Sequence, residues 1–144
     1  MTQIHASAVE LGGQGVLLRG PSGAGKSDLA LRLIDAGARL IADDRVDLAV
    51  ESGRLVARPP AILAGRMEVR GLGIVAVPWV AAAPLALVVD LVAPGLVERL
   101  PERTQVTYLG IGLPLLALAP FEASAAAKLR LALAHATAAA LSAA

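Results

Sequence analysis

Gly20-Pro21-Ser22-Gly23-Ala24-Gly25-Lys26-Ser27 is the stretch on which the fold turns. It matches the phosphate-loop (Walker A) pattern Gly-x-x-x-x-Gly-Lys-Ser in every defined position. The glycines let the backbone turn tightly and approach an anion, so that successive N–H groups form a nest around it. The pattern carries weight only between a strand and a helix, and both are legible. Gly15 to Arg19 is a short apolar strand feeding the loop. Lys26 to Ala36 has apolar residues at Leu29, Ala30, Leu33 and Ile34, the spacing of a helix packed on a core, with Gly37 placed to end it. The helix start adds unpaired N–H groups and a positive dipole end against the same anion. In that setting Lys26 reaches the terminal phosphates of a nucleoside triphosphate and Ser27 offers a hydroxyl to Mg²⁺. A chance Gly-Lys-Ser in a glycine-rich turn would not bring both flanking elements.

Outward from the loop, Ile4 to Leu11 reads as one strand and Gly12-Gly13 as a turn. Arg39 to Ala42 is a strand ending at Asp43-Asp44. Val46–Val50 and Leu55–Arg58 form a hairpin across Glu51-Ser52-Gly53-Arg54, and Pro59-Pro60 breaks the chain. Met67 to Arg70 alternates polar and apolar residues into Gly71-Leu72-Gly73, with Ile74–Val77 as the next strand. Leu85–Val92 and Leu115–Ala119 are further strands, and Phe121 to about Leu141 is an alanine-rich helix. The expectation is one α/β domain over residues 1–144, with a mixed rather than purely parallel sheet.

The 144 residues suffice for one domain that buries roughly 70% of its unfolded surface. With no cysteine the chain lacks disulfides and thiolate metal sites and fits a reducing compartment. The N-terminus has no basic segment leading into an apolar run, so the location expected is cytoplasmic. A net charge of +1, scattered basic residues and three aromatics (Trp79, Tyr108, Phe121) give neither a footprint nor a stacking platform for nucleic acid. Gly71 to Val97 holds one charge, Asp90, in 27 residues, long enough to span a bilayer. Pro78, Pro84, Pro94 and the cost of burying Asp90 argue for strands of a protein core and against a membrane span.

Nothing matches a guanine-reading Asn-Lys-x-Asp, which argues against a regulatory GTPase. Asp43 and Asp44 lie seventeen and eighteen residues after Lys26, which predicts that they close the strand next to the loop. Adjacent carboxylates near Mg²⁺-phosphate can divide the work, one near the metal and one receiving a proton. Asp90, delivered by the apolar run Leu85–Val89, competes for the same role, and spacing alone leaves the choice open.

Together these residues resemble the catalytic domain of the HPr kinase/phosphorylase family. His5 lies fifteen residues before Gly20, Ala42-Asp43-Asp44 follows the first helix, and Glu68-Val69-Arg70-Gly71-Leu72-Gly73-Ile74 matches the family's most specific signature. Pro21 stands where an acid is common, and the likeness is stronger up to Ile74 than beyond it. The resemblance implies a P-loop domain with a mixed sheet, similar to the HPr kinase and phosphoenolpyruvate carboxykinase-like nucleotide-binding core. It further implies ATP- and Mg²⁺-dependent phosphorylation of a serine of HPr, the phosphocarrier protein of the sugar phosphotransferase system, and in many members the reverse reaction by attack of inorganic phosphate. Gly20 to Ser27 would bind the nucleotide, with Lys26 on the β/γ-phosphates. Ser27 and Glu68 would hold Mg²⁺, and Asp44, not Asp90, would take the serine's proton. His5 and Arg99, from Arg99-Leu100, would steady phosphate oxygens, with Asp43 and Arg70 accompanying them. Hexamers are expected by the same resemblance.

Leu115 to Pro120, where the family's arginine-bearing loop linked to dephosphorylation falls, has no basic residue, so the reverse activity stays open. The chain starts almost at His5, which reads as a stand-alone catalytic domain without the N-terminal domain of many members. This minimal form resembles versions from bacteria in which the carrier system regulates rather than transports. A small-molecule P-loop kinase and a non-catalytic nucleotide-binding module are the alternatives.

Overall fold

The structure, a computed structural model, describes residues 1–143, with side chains through Thr137. The elements around the glycine loop form as the sequence predicts: strand β3 (Gln14–Arg19), the loop itself, helix α1 (Lys26–Asp35) and strand β4 (Arg39–Ala42). Helix α1 ends in a Schellman motif. Gly37 takes φ +109°, its N–H donates to Ile34, and Ala38 N–H reaches back to Leu33.

The apolar run Ile4–Leu11 is not one strand. It divides at Ala6 into β1 (Thr2–His5) and β2 (Ser7–Leu11). β2 lies antiparallel between β3 and β4, whereas β1 pairs with β5 (Arg45–Glu51). β1–β2 and β4–β5 therefore form two halves of one ribbon, bent where Ala6 faces Asp44. β5 continues into β6 (Arg54–Arg58) across the expected hairpin. β7 (Arg66–Val69) and β8 (Gly73–Ala76) make a separate two-stranded sheet. β9 (Ala83–Leu91) is the sheet's centre. It runs parallel to β3 on one side; on the other it meets β6 near its start and β11 (Ile111–Leu118) near its end. β10 (Thr104–Tyr108), which the sequence reading passed over, covers β11. The main sheet has nine strands of mixed direction, and helix α2 (Ala125–Ala143) starts four residues later than expected.

Both helices pack on one face. Leu29, Leu33, Leu129 and Leu133 meet Val16, Leu18, Leu87 and Val89. On the other face Leu17, Ile41, Val46, Leu48, Leu55, Leu85 and Val88 share one cluster. Strands distant in sheet order meet there, so the sheet curls on itself. A register shift at Gly15/Val16 opposite Ala86 reverses the alternation along β9, sending Leu85 to one cluster and Leu87 to the other. The apolar stretch Gly71–Val97 is thus a hairpin strand, a loop and β9. Among the described residues no helix is long and apolar enough to cross a membrane.

Candidate active site

The loop from Gly20 to Gly25 runs between the end of β3 and the start of α1. Gly23 and Gly25 take φ +83° and +101°, a region costly for other residues. A Cβ on Gly20 would lie 2.9 Å from Ala24 Cβ, and one on Gly25 would lie 2.9 Å from Phe121 Cζ. Ala24 N–H donates to Pro21 C=O at 3.0 Å, closing the loop. Gly25 caps α1 without a side chain, and Leu29 N–H makes the first helical bond, to Gly25 C=O. The N–H groups of Lys26, Ser27 and Asp28 are therefore the helix's unpaired donors. Lys26, nearly buried, folds its Nζ over the loop and donates to the carbonyls of Gly20 (2.6 Å) and Pro21 (3.0 Å).

Asp43-Asp44 does not lie on the strand next to the loop, because β2 separates β3 from β4. The pair reaches the loop through the ribbon bend. Ala6 N–H donates to Asp44 C=O at 3.1 Å, and Arg45 N–H to Asp43 C=O at 2.9 Å. The second bond closes a three-residue γ-turn over Asp44, whose φ is +72°. Such a conformation costs a non-glycine residue about 1–3 kcal/mol and persists where its surroundings fix it. Its effect is to send the two carboxylates in different directions. Asp43 turns inward, and its Oδ1 accepts both Ser7 Oγ–H (2.9 Å) and Ser27 Oγ–H (2.8 Å). Asp44 turns outward and sits 2.6 Å from His5 Nε2, with both side chains more than half exposed.

The β7–β8 hairpin supplies the opposite wall. Met67 is buried in the helix-side core and anchors the hairpin, so the alternating residues Glu68 and Arg70 point outward. His5, Ser7, Ser22, Lys26, Ser27, Asp44, Glu68 and Arg70 line one cavity of about 610 Å³. Among the described residues no three His, Asp or Glu side chains are close enough to hold a metal ion by themselves.

Of the residues singled out from the sequence, Arg99 is not brought here. It is exposed in the chain after the short 3-10 turn Pro94–Leu96 and does not line the cavity. Asp90, the rival acid, is engaged elsewhere. It takes two hydrogen bonds from Arg19, at 2.7 and 2.9 Å, and Arg19 also donates to Tyr108 Oη at 2.9 Å. The Asp90 hydrogen bond, more than any other influence, holds the Arg19 guanidinium above its ordinary pKa. Ser7 went unnoticed in the sequence. The available signal was a lone hydroxyl in the apolar run Ala6–Val9, two residues after His5.

Comparison with known proteins agrees with this fold. The family model of the HPr serine kinase C-terminal domain matches residues 1–83. An HPr kinase/phosphorylase from Clostridium tetani is 42% identical over 101 residues, covering 70% of this chain and 32% of that protein. Its counterpart from Clostridium beijerinckii is 49% identical over 74 residues, 51% of this chain and 24% of that protein. The chain thus spans a third or less of these relatives' length. The structure of the Hpr(Ser) kinase/phosphatase from Coxiella burnetii superimposes with a TM-score of 0.82 at 26% identity, covering 99% of this chain and 93% of that one. The likeness of fold therefore continues past residue 83, where the family model stops. The chain belongs to the HPr serine kinase C-terminal domain family.

Proposed function

We propose that this chain is an ATP- and Mg²⁺-dependent kinase domain that phosphorylates a serine of an HPr-like phosphocarrier protein. The observation that carries the reading is the convergence of the glycine loop, the His5–Asp44 pair and Glu68 on one cavity. Gly20 to Ser27 would cradle the phosphates, with the free N–H groups at the start of α1 completing the nest. Lys26 Nζ already lies over the loop and would add its charge to the β/γ-phosphates.

The oxygen donors present suit Mg²⁺, which is typically held by one or two carboxylates together with phosphate oxygens and water. Ser27 and Glu68 would hold it, with Asp43 fixing the Ser27 hydroxyl from behind. Mg²⁺, when bound, neutralises charge developing on the transferred phosphoryl oxygens. Arg70 lines the cavity and would offer its guanidinium to phosphate oxygens, the role expected of Arg99.

Asp44 is the base of this reading. It would take the proton from the carrier's serine as that oxygen bonds to the γ-phosphorus and the bond to the β–γ bridging oxygen breaks. His5, at 2.6 Å, would hold the carboxylate in position. In the phosphorolytic direction inorganic phosphate would attack the phosphorus of phosphoserine and the bond to the serine oxygen would break. The same carboxyl would return the proton to that oxygen, leaving pyrophosphate.

Asp44→Asn tests the assignment. Asparagine tolerates positive φ, so the turn survives, but its amide takes no proton. Transfer should fall by about 10²–10⁴-fold, the usual contribution of general base catalysis, with ATP binding retained. Full activity in this variant would refute Asp44 as the base.

A further inference from the structure

A second cavity, of about 440 Å³, lies beside the phosphate loop on the side away from Asp44. Its walls are Pro21 and Ala24 of the loop, Leu91 at the end of β9 with Val92 to Pro94 after it, and Ala119 to Glu122 after β11. β3, β9 and β11 are parallel neighbours, so these segments all leave the sheet at its carboxyl edge, where open α/β sheets take their ligands. The walls are fixed. Val92 N–H donates to Leu118 C=O at 2.9 Å, and the Arg32 guanidinium of α1 donates to Pro120 C=O.

Phe121 joins the two cavities, since it lines both. It is the chain's one phenylalanine and is 70% exposed, with its ring against Gly25 at the mouth of the phosphate loop. Glu122, the single charged residue of the second cavity, is already paired with Lys128 at 2.8 Å. Hydrogen-bond donors are scarce. Pro21, Pro94 and Pro120 have no N–H, and those of Ala24, Val92 and Glu122 are engaged within the chain.

We propose that this second cavity receives the base and sugar of the nucleotide whose phosphates lie on the Gly20–Ser27 loop, with the Phe121 ring as the stacking face for the base. The inference rests on the phosphate-loop reading given above. A flat π-system fits an apolar slot that opens onto a phosphate site and presents one exposed aromatic ring. Recognition is by stacking and shape, because the walls offer little with which to read a base edge.

The test measures dissociation constants of Mg-ATP and Mg-tripolyphosphate, by calorimetry on the full chain, in the parent, Phe121→Ala and Ala93→Trp. Removing the ring should weaken Mg-ATP roughly 5- to 100-fold, the usual effect of losing a base–aromatic stack, and leave tripolyphosphate nearly unchanged. Filling the cavity at Ala93 should produce the same selective loss. Equal weakening of both probes in Phe121→Ala, or unchanged Mg-ATP binding in Ala93→Trp, would overturn the assignment. If the parent bound neither probe, the phosphate-loop reading itself would fall, and this inference with it.

Discussion

Replacing Ser7 by alanine removes one of the two hydroxyls that donate to Asp43 Oδ1, in a side chain with 0% exposure. A hydrogen bond to a carboxylate contributes about 1.5–3 kcal/mol, and the Ser7 side chain is fully buried, so the loss is not made good at the surface. Ser7→Ala should therefore destabilise the fold by about 2 kcal/mol, lowering Tm by roughly 4–8 °C at this chain length. Loss of stability alone would not identify the partner, so the experiment is a double-mutant cycle followed by urea unfolding. In an Asp43→Ala background the Ser7 hydroxyl is already unpaired, and removing it should cost nothing or even stabilise. The coupling energy should equal about 1.5–3 kcal/mol. A cycle additive to within about 0.5 kcal/mol would show that Ser7 and Asp43 do not act together, and would refute the account of how the ribbon bend holds Ser27.

Arg19 and Asp90 predict the opposite pattern. Their pair is two-pronged but about a third exposed, so Asp90→Ala should cost about 1 kcal/mol of stability and leave kcat unchanged, as steady-state kinetics and thermal melting together would show. The Glu51–Arg58 pair in the β5–β6 hairpin governs a small acid dependence. The Arg58 hydrogen bond holds the Glu51 carboxyl below its ordinary 4.5, so the pair's stabilisation is fully present above that pH and is lost as pH falls through the lowered value. Unfolding followed from pH 6 downward in the parent and in Glu51→Gln should therefore diverge least at the acid end.

The features legible in the sequence are those that local chemistry decides. The glycine loop between β3 and α1, α1 with its Gly37 terminus and the apolar strand β9 each follow from residues close together in the chain. The break at Ala6 was not legible, because Ile4–Leu11 has no breaker within it; a distant partner, the Asp43–Asp44 turn, decides where the ribbon bends. β10 has only Thr104 to Tyr108 to announce it and exists because β11 offers it an edge. The candidate site divides along the same line. Lys26, Ser27, Asp44 and Glu68 could be named from motifs, but the different orientations of Asp43 and Asp44, the pairing of His5 with Asp44 and the buried hydroxyl of Ser7 are products of the bend. Arg99 was expected only through the resemblance, as the Arg-Leu pair after the following strand. It is exposed and does not line the cavity, and a pair of residues in a loop does not determine which way that loop turns.

The central claim is phosphoryl transfer to a carrier protein, and the direct measurement is mass spectrometry of the host's HPr after incubation with this chain and Mg-ATP. The account predicts phosphoserine on HPr, formed by the parent and lost in Lys26→Ala and Asp44→Asn. Unmodified HPr alongside ATP turnover on a small metabolite would contradict it.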